Sequence, residues 1–188
     1  LEIKNVKMAT IISLNGNTPI IPESCFLAPS ATIVGEVSMN EECSIWFNAV
    51  IRGDVNSIEI GKRVNVQDNV VIHCTYKKFS TVIGDNVSIG HNAIVHGCDI
   101  HDNVLVGMGS IIMDGCIVES NSIVAAGAVV TAGTQIPSGY IYGGIPAKKI
   151  KKISPDLSKN EVQRIAENYI LYSSWYNDKL TEENGKNK

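Results

Sequence analysis

A six-residue internal repeat runs through the chain, and that period restricts the possible folds more than any other feature. From residue 19 the sequence divides into blocks whose third position is a bulky aliphatic: Ile21, Leu27, Ile33, Met39, Ile45 and Ile51. After a three-residue insertion, Val55 to Ser57, the series resumes at Ile60, Val66 and Ile72. A longer insertion around Tyr76 to Ser80 precedes Ile83, Ile89 and Val95. One block is then a residue short, and Ile100, Val106, Ile112, Val118, Val124, Val130 and Ile136 follow without interruption. Six residues are too few for a helix–turn unit and suit one short strand plus a tight turn. The first position is small or β-branched (Cys25, Ala31, Val37, Cys43, Ala49, Cys98, Cys116, Ala128), as an inward neighbour two residues away on a strand should be. The sixth is repeatedly Asn or Gly, among them Asn48, Asn69, Asn92, Gly109 and Gly133, residues that tolerate left-handed backbone angles at a turn. Three blocks, one per face of a triangular prism, predict an all-β chain: a parallel β-helix of roughly six coils with stacked aliphatic ladders. A sandwich of alternating strands, the competing arrangement, would not hold one register over this length.

Four segments follow from the register. Residues 1–18 are read as a leader and first strand, 19–140 as the β-helix, 141–180 as an exit turn and C-terminal α-helix packed along it, and 181–188 as a flexible polar tail. Leu1 to Lys7 precede Met8 and are taken as an upstream extension. The register is expected to stop at Pro137, with Gly143 to Lys149 forming the exit turn. Ser158-Lys159-Asn160-Glu161 is a capping box that opens the helix, whose apolar stripe is Val162, Ile165, Ala166, Tyr169, Tyr172 and Tyr176.

Composition excludes several functions. With 188 residues, 44% of them apolar and 19% charged, the chain is one globular domain with a small appendage and not a disordered one. Sixteen basic residues against nineteen acidic ones, net −3, argue against a nucleic-acid or anionic-membrane surface. No apolar run approaches the ~18–20 residues of a membrane span, and no charged-then-apolar leader opens the chain. The five cysteines are scattered and no C-x-x-C occurs, so they are read as core thiols of a reducing compartment, the cytoplasm, and not as disulfides or zinc ligands.

Three of the four histidines carry the functional signal. His73 follows Ile72 and His96 follows Val95; those aliphatics are three blocks apart, which is one coil. The two imidazoles therefore share an edge in adjacent layers, about 4.8 Å apart by strand spacing, with Arg52 one layer earlier in the same column. His91, two residues past Ile89, falls on a neighbouring edge above Gln67 and Asp68. It cannot reach the pair within one prism, but it can reach the pair of an adjacent copy in a threefold homo-oligomer. Three neutral imidazoles with an open fourth position form the ligand set of a catalytic zinc, and iron or cobalt would also suit them. The alternative is three histidines hydrogen-bonded across a subunit interface without metal. His101 is read as a surface residue.

Arg52-Gly53-Asp54, Asn65-Val66-Gln67-Asp68, His73, His91 and His96 together resemble the γ-class carbonic anhydrases of the hexapeptide-repeat, transferase-like superfamily, from about Ile20 to the final helix. The resemblance implies a left-handed helix assembled as a homotrimer, with zinc or iron between subunits. It further implies that Arg52 and Asp68 pair across the interface and that Gln67 hydrogen-bonds solvent on the metal. Zinc on three histidines lowers the pKa of its water to about 7, carbonic anhydrase being the reference case, which permits hydration of carbon dioxide to bicarbonate. Arg52 and Asp54 are candidate orienting groups or an interface salt bridge; Tyr169 is a candidate for the site mouth or a packing residue. The sequence departs from the most active family type, which carries proton-moving glutamates. Here Val55 follows Asp54, and the loop from Cys74 to Thr81 has no carboxylate. Two other functions remain open at this point: an acyl-coenzyme A-dependent acyltransferase with one histidine as general base, and a non-catalytic metal-holding scaffold.

Overall fold

The computed structural model describes residues 8–185, so Leu1 to Lys7 lie outside the described residues. Its architecture is a parallel β-solenoid of about seven turns with one C-terminal helical segment. Three aliphatic ladders fill the interior. Ile33, Ile51, Ile72, Val95, Ile112 and Val130 stack in one register. Met39, Ile60, Ile83, Ile100, Val118 and Ile136 form the second. Leu27, Ile45, Val66, Ile89, Val106 and Val124 form the third. All but Leu27 are buried, each contributing about 1.5–3 kcal/mol by removal from water.

The corners are built as the repeat requires. Asn48, Asn69, Asn92, Gly109 and Gly133 all have φ between 59° and 71°, the left-handed region in which Asn and Gly cost least. At the three-residue insertion the corner is bridged without a turn. One continuous strand, Val50–Ile60, pairs at its start with Val71–His73 and at its end with Thr81–Ile83. Two faces are thereby joined into an 11-stranded sheet, while the third face is an 8-stranded sheet.

The expected solenoid is present, reaching about seven turns because pairing extends beyond the hexapeptide blocks: Thr10–Ile12 lies beneath Thr32–Val34, and Ile141 lies above Ile123. Three expectations need correction. The register does not stop at Pro137, since Tyr142 stands in the ladder position above Val124. Nor are Lys148 and Lys149 part of a turn. Lys148–Lys152 is a strand antiparallel to Tyr140–Gly143, closing the last coil as a hairpin. Finally, the helical segment begins earlier than the Ser158 box. Ser154 is the N-cap, its hydroxyl accepting from the Leu157 N–H at 3.2 Å, with Pro155 next. Proline has no N–H to satisfy in a first turn, so this cap wins and Ser158 has ordinary helical angles.

The helical segment comprises α1 (Pro155–Leu157), a π-helical stretch Ser158–Gln163 and α2 (Arg164–Gly185). Helix thus continues into the segment read as a polar tail, residues 186–188 lying outside the described residues. Its stripe packs as expected: Val162 against Ile123 and Ile141, and Tyr169 and Tyr172 against Phe26, Ala28 and Trp46. No helix among the described residues is long and apolar enough to cross a membrane. All five cysteines are free, and Cys43, Cys74, Cys98 and Cys116 are buried.

Candidate metal centre

Parallel pairing places His96 directly beside His73 in the next coil. His73 Nδ1 and His96 Nε2 face one another at 3.1 Å. The outer nitrogen of each ring meets a carboxylate: His73 Nε2 lies 2.9 Å from Asp54 Oδ1, and His96 Nδ1 lies 2.6 Å from Asp114 Oδ1. Arg52 pairs with the other oxygen of Asp54. These residues are two apart on one strand and so project from the same face. Burial raises the Asp54 carboxyl, but hydrogen bonds from His73 and Arg52 outweigh it and hold the group below its usual range. The same balance holds at Asp114, where burial is outweighed by His96 and by Thr75.

His91 stands on the neighbouring edge. Its Nδ1 lies 2.8 Å from Asp68 Oδ2, and its backbone N–H donates to Gln67 Oε1 at 3.2 Å. Gln67 is almost fully buried, and its Nε2 donates to Asn65 Oδ1 at 3.0 Å. Tyr169 lines the same apolar groove as Gln67 and His91, a cavity of about 400 Å³ between α2 and the prism. It also packs edge-on against Trp46, at 5.3 Å between ring centroids. Burial pushes its phenol up to about 12, with Asp68 and Tyr172 adding to the shift. His101 is exposed, as read from the sequence.

The sequence-derived residues thus fall into two groups. Arg52, Asp54, His73 and His96 share one edge; Gln67, Asp68, His91 and Tyr169 share the other. Within the chain Arg52 meets Asp54 and Asp68 meets His91. Among the described residues of one chain, no group of three His, Cys, Asp or Glu side chains could hold a metal ion. The donor chemistry nonetheless fits zinc. Two nitrogens on a tetrahedral zinc with bonds of 2.0–2.1 Å lie about 3.3 Å apart, close to the 3.1 Å between the inward nitrogens. Each outer nitrogen already has the carboxylate partner that metal-binding imidazoles usually have.

Asp114 and Thr75 were missed from the sequence. Asp114 belongs to the coil after His96, one position off the histidine column. Its signal was the register that aligns Val95 with Ile112.

Comparison with known proteins bears on both fold and family. Residues 97–132 match the family model described as bacterial transferase hexapeptide (six repeats). A solved Bacillus cereus structure, of a protein proposed to be an acetyltransferase, superposes with a TM-score of 0.87 at 39% identity, covering 90% of this chain and 98% of the other. Gamma carbonic anhydrase 2, mitochondrial, of Arabidopsis thaliana is 41% identical over 86% of this chain, which spans only 59% of that relative's length. The carbonic anhydrase of Geobacillus kaustophilus is 43% identical, the match covering 88% of this chain and 90% of the relative. With identity at that level across nearly the whole of a relative, the chain belongs to the γ-class carbonic anhydrase family of hexapeptide-repeat proteins.

Proposed function

We propose that three copies of this chain bring their half-sites together and hydrate carbon dioxide reversibly at metal centres between subunits. Each centre takes His73 and His96 from one copy and His91 from the next, with zinc as the metal and iron or cobalt as substitutes. The observation that carries this reading is the pair of inward ring nitrogens 3.1 Å apart on one edge, with a third histidine on the adjacent edge. Family membership supports it, since such proteins are typically trimeric. When bound, the zinc supplies hydroxide at neutral pH by lowering the pKa of water. The chain's own residues do the rest. Asp54 and Asp68 hold the outer nitrogens of His73 and His91, fixing ring orientation. Gln67 keeps a second amide hydrogen on Nε2 free to orient solvent. Arg52, tied to Asp54, places positive charge where bicarbonate forms. The apolar groove beside His91, lined by Leu105, Val106, Ile123, Val124 and Tyr169, gives an uncharged gas its approach. The buried thiols suit a reducing compartment, and we place the protein in the cytoplasm.

Proton export is the weak step. The loop from Cys74 to Thr81 offers lysines and no carboxylate, and an ammonium is a poor relay at neutral pH. The test is metal content and carbon dioxide hydration on one anaerobically purified sample, with and without added imidazole. A metal-loaded protein whose hydration rises with imidazole is expected. A second reading, acyl transfer from acyl-coenzyme A, is favoured by the same groove and by the activity proposed for the Bacillus cereus neighbour. Metal-free protein that consumes an acyl thioester would replace the first reading with this one. Metal-loaded protein inert toward carbon dioxide even with imidazole would reduce it to a metal-holding scaffold.

A further inference from the structure

We infer that Asp114 is a positioning residue that fixes the His96 ring with its proton on Nδ1 and braces it against the loop after Cys74. Asp114 sits one coil above Gly97 and not above His96. Gly97 has φ +54°, and a Cβ there would collide with Asp114 Oδ1. The missing side chain therefore lets the carboxylate cross to the neighbouring ring. Oδ1 reaches His96 Nδ1 at 2.6 Å, while Oδ2 accepts from the Thr75 hydroxyl at 2.8 Å. The loop carrying Thr75 is itself closed by Thr75 N–H donating to the Phe79 carbonyl at 3.0 Å. Phe79 in turn lies against Gly97 and Gly115, the residues flanking this contact in adjacent coils.

The consequence is chemical. A carboxylate at neutral pH accepts and cannot donate, so the proton in the short contact belongs to His96 Nδ1. With its Nδ1 taken by Asp114, the ring presents Nε2 to His73 Nδ1 as the nitrogen available to a metal. Asp54 imposes the same order on His73, whose N–H is taken at Nε2. The two inward nitrogens can then share a cation; without one, their 3.1 Å contact is a hydrogen bond in which one ring donates to the other. Free histidine prefers the opposite tautomer, with the proton on Nε2, so the Asp114 contact must overcome that preference.

Only the affinity part of this inference rests on the proposed metal function; the tautomer is read in metal-free protein, so the two can fail separately. The experiment takes the full-length, ¹⁵N-labelled chain stripped of metal, wild type and variants being compared at one pH of about 8. Two-bond ¹H–¹⁵N correlation spectra locate the His96 proton, and competition with a chromogenic chelator gives affinity for zinc alone. Wild type is expected to carry the proton on Nδ1. In Asp114→Ala it should move mainly to Nε2, with zinc affinity falling about 10–100-fold. Asp114→Asn, whose amide oxygen can still accept, should keep the Nδ1 proton and recover most of the affinity. Thr75→Val, which leaves the carboxylate in place but unanchored, should give a mixture of tautomers. A wild-type ring protonated on Nε2, or an Asp114→Ala ring that keeps its proton on Nδ1, overturns the assignment; the first of these needs no variant to fold.

Discussion

Tyr169 sits where helix packing meets the candidate site, and its phenol responds to both. Burial among Trp46 and Tyr172 lifts it to about 12, against about 10 in an unfolded chain. Between those values the unfolded state has lost a proton that the folded state retains, so stability falls as pH rises through this window. Tyr169→Phe should flatten that loss, read as the urea midpoint of the variant and wild type at several pH values between about 9 and 12. Identical slopes would mean that the phenol is solvated. At this scale the sequence was informative about columns and poor about diagonals. His73 and His96 follow ladder residues directly, so counting blocks was enough to pair them. Asp114 reaches sideways across Gly97, and no count of blocks reveals which neighbours lack the side chain that would stop it.

The ladders carry the stability of the strands, each only two or three residues long over most of the prism. Ile72 is fully buried in the middle of one ladder. Ile72→Ala should therefore cost about 2–5 kcal/mol in denaturant unfolding. Leu27→Ala, at a half-buried position in the first coils, should cost clearly less. Equal losses would argue that burial in the ladder does not set the cost. Most elements were readable because period and turn chemistry agreed, Asn and Gly falling where the chain turns. The closing hairpin was not. Four lysines around Ile150 show no strand alternation, and they lie on an exposed edge where charge guards against pairing with another chain. The early helix start was hidden for a different reason: the Ser158 box fits the capping pattern, and Ser154, with proline after it, was passed over.

For the whole molecule, stability and chemistry are separable. The ladders face inward and the histidines outward, so, on the proposed function, His96→Ala should abolish zinc binding and leave the proposed trimer folded. Scattering for assembly and metal analysis on the same sample check this, and loss of both together would contradict the division. If the proposed centre holds metal, stripping it from wild type should lower the melting temperature without unfolding the chain, because a ligand that binds only the folded state adds stability as its concentration exceeds its dissociation constant.

Arg52 and Asp54 lie on the strand Val50–Ile60, which runs past a corner of the prism beside the likewise continuous Thr32–Met39. The added residues lengthen the path around the outside while leaving the inward count untouched, so Ile51 and Ile60 keep their ladders. Chemistry on such a scaffold can be gained or lost at the splices between blocks, with the interior indifferent to the change. Two solenoids with interchangeable cores can therefore belong to different trades, and the place to look for the difference is wherever the count of six is broken.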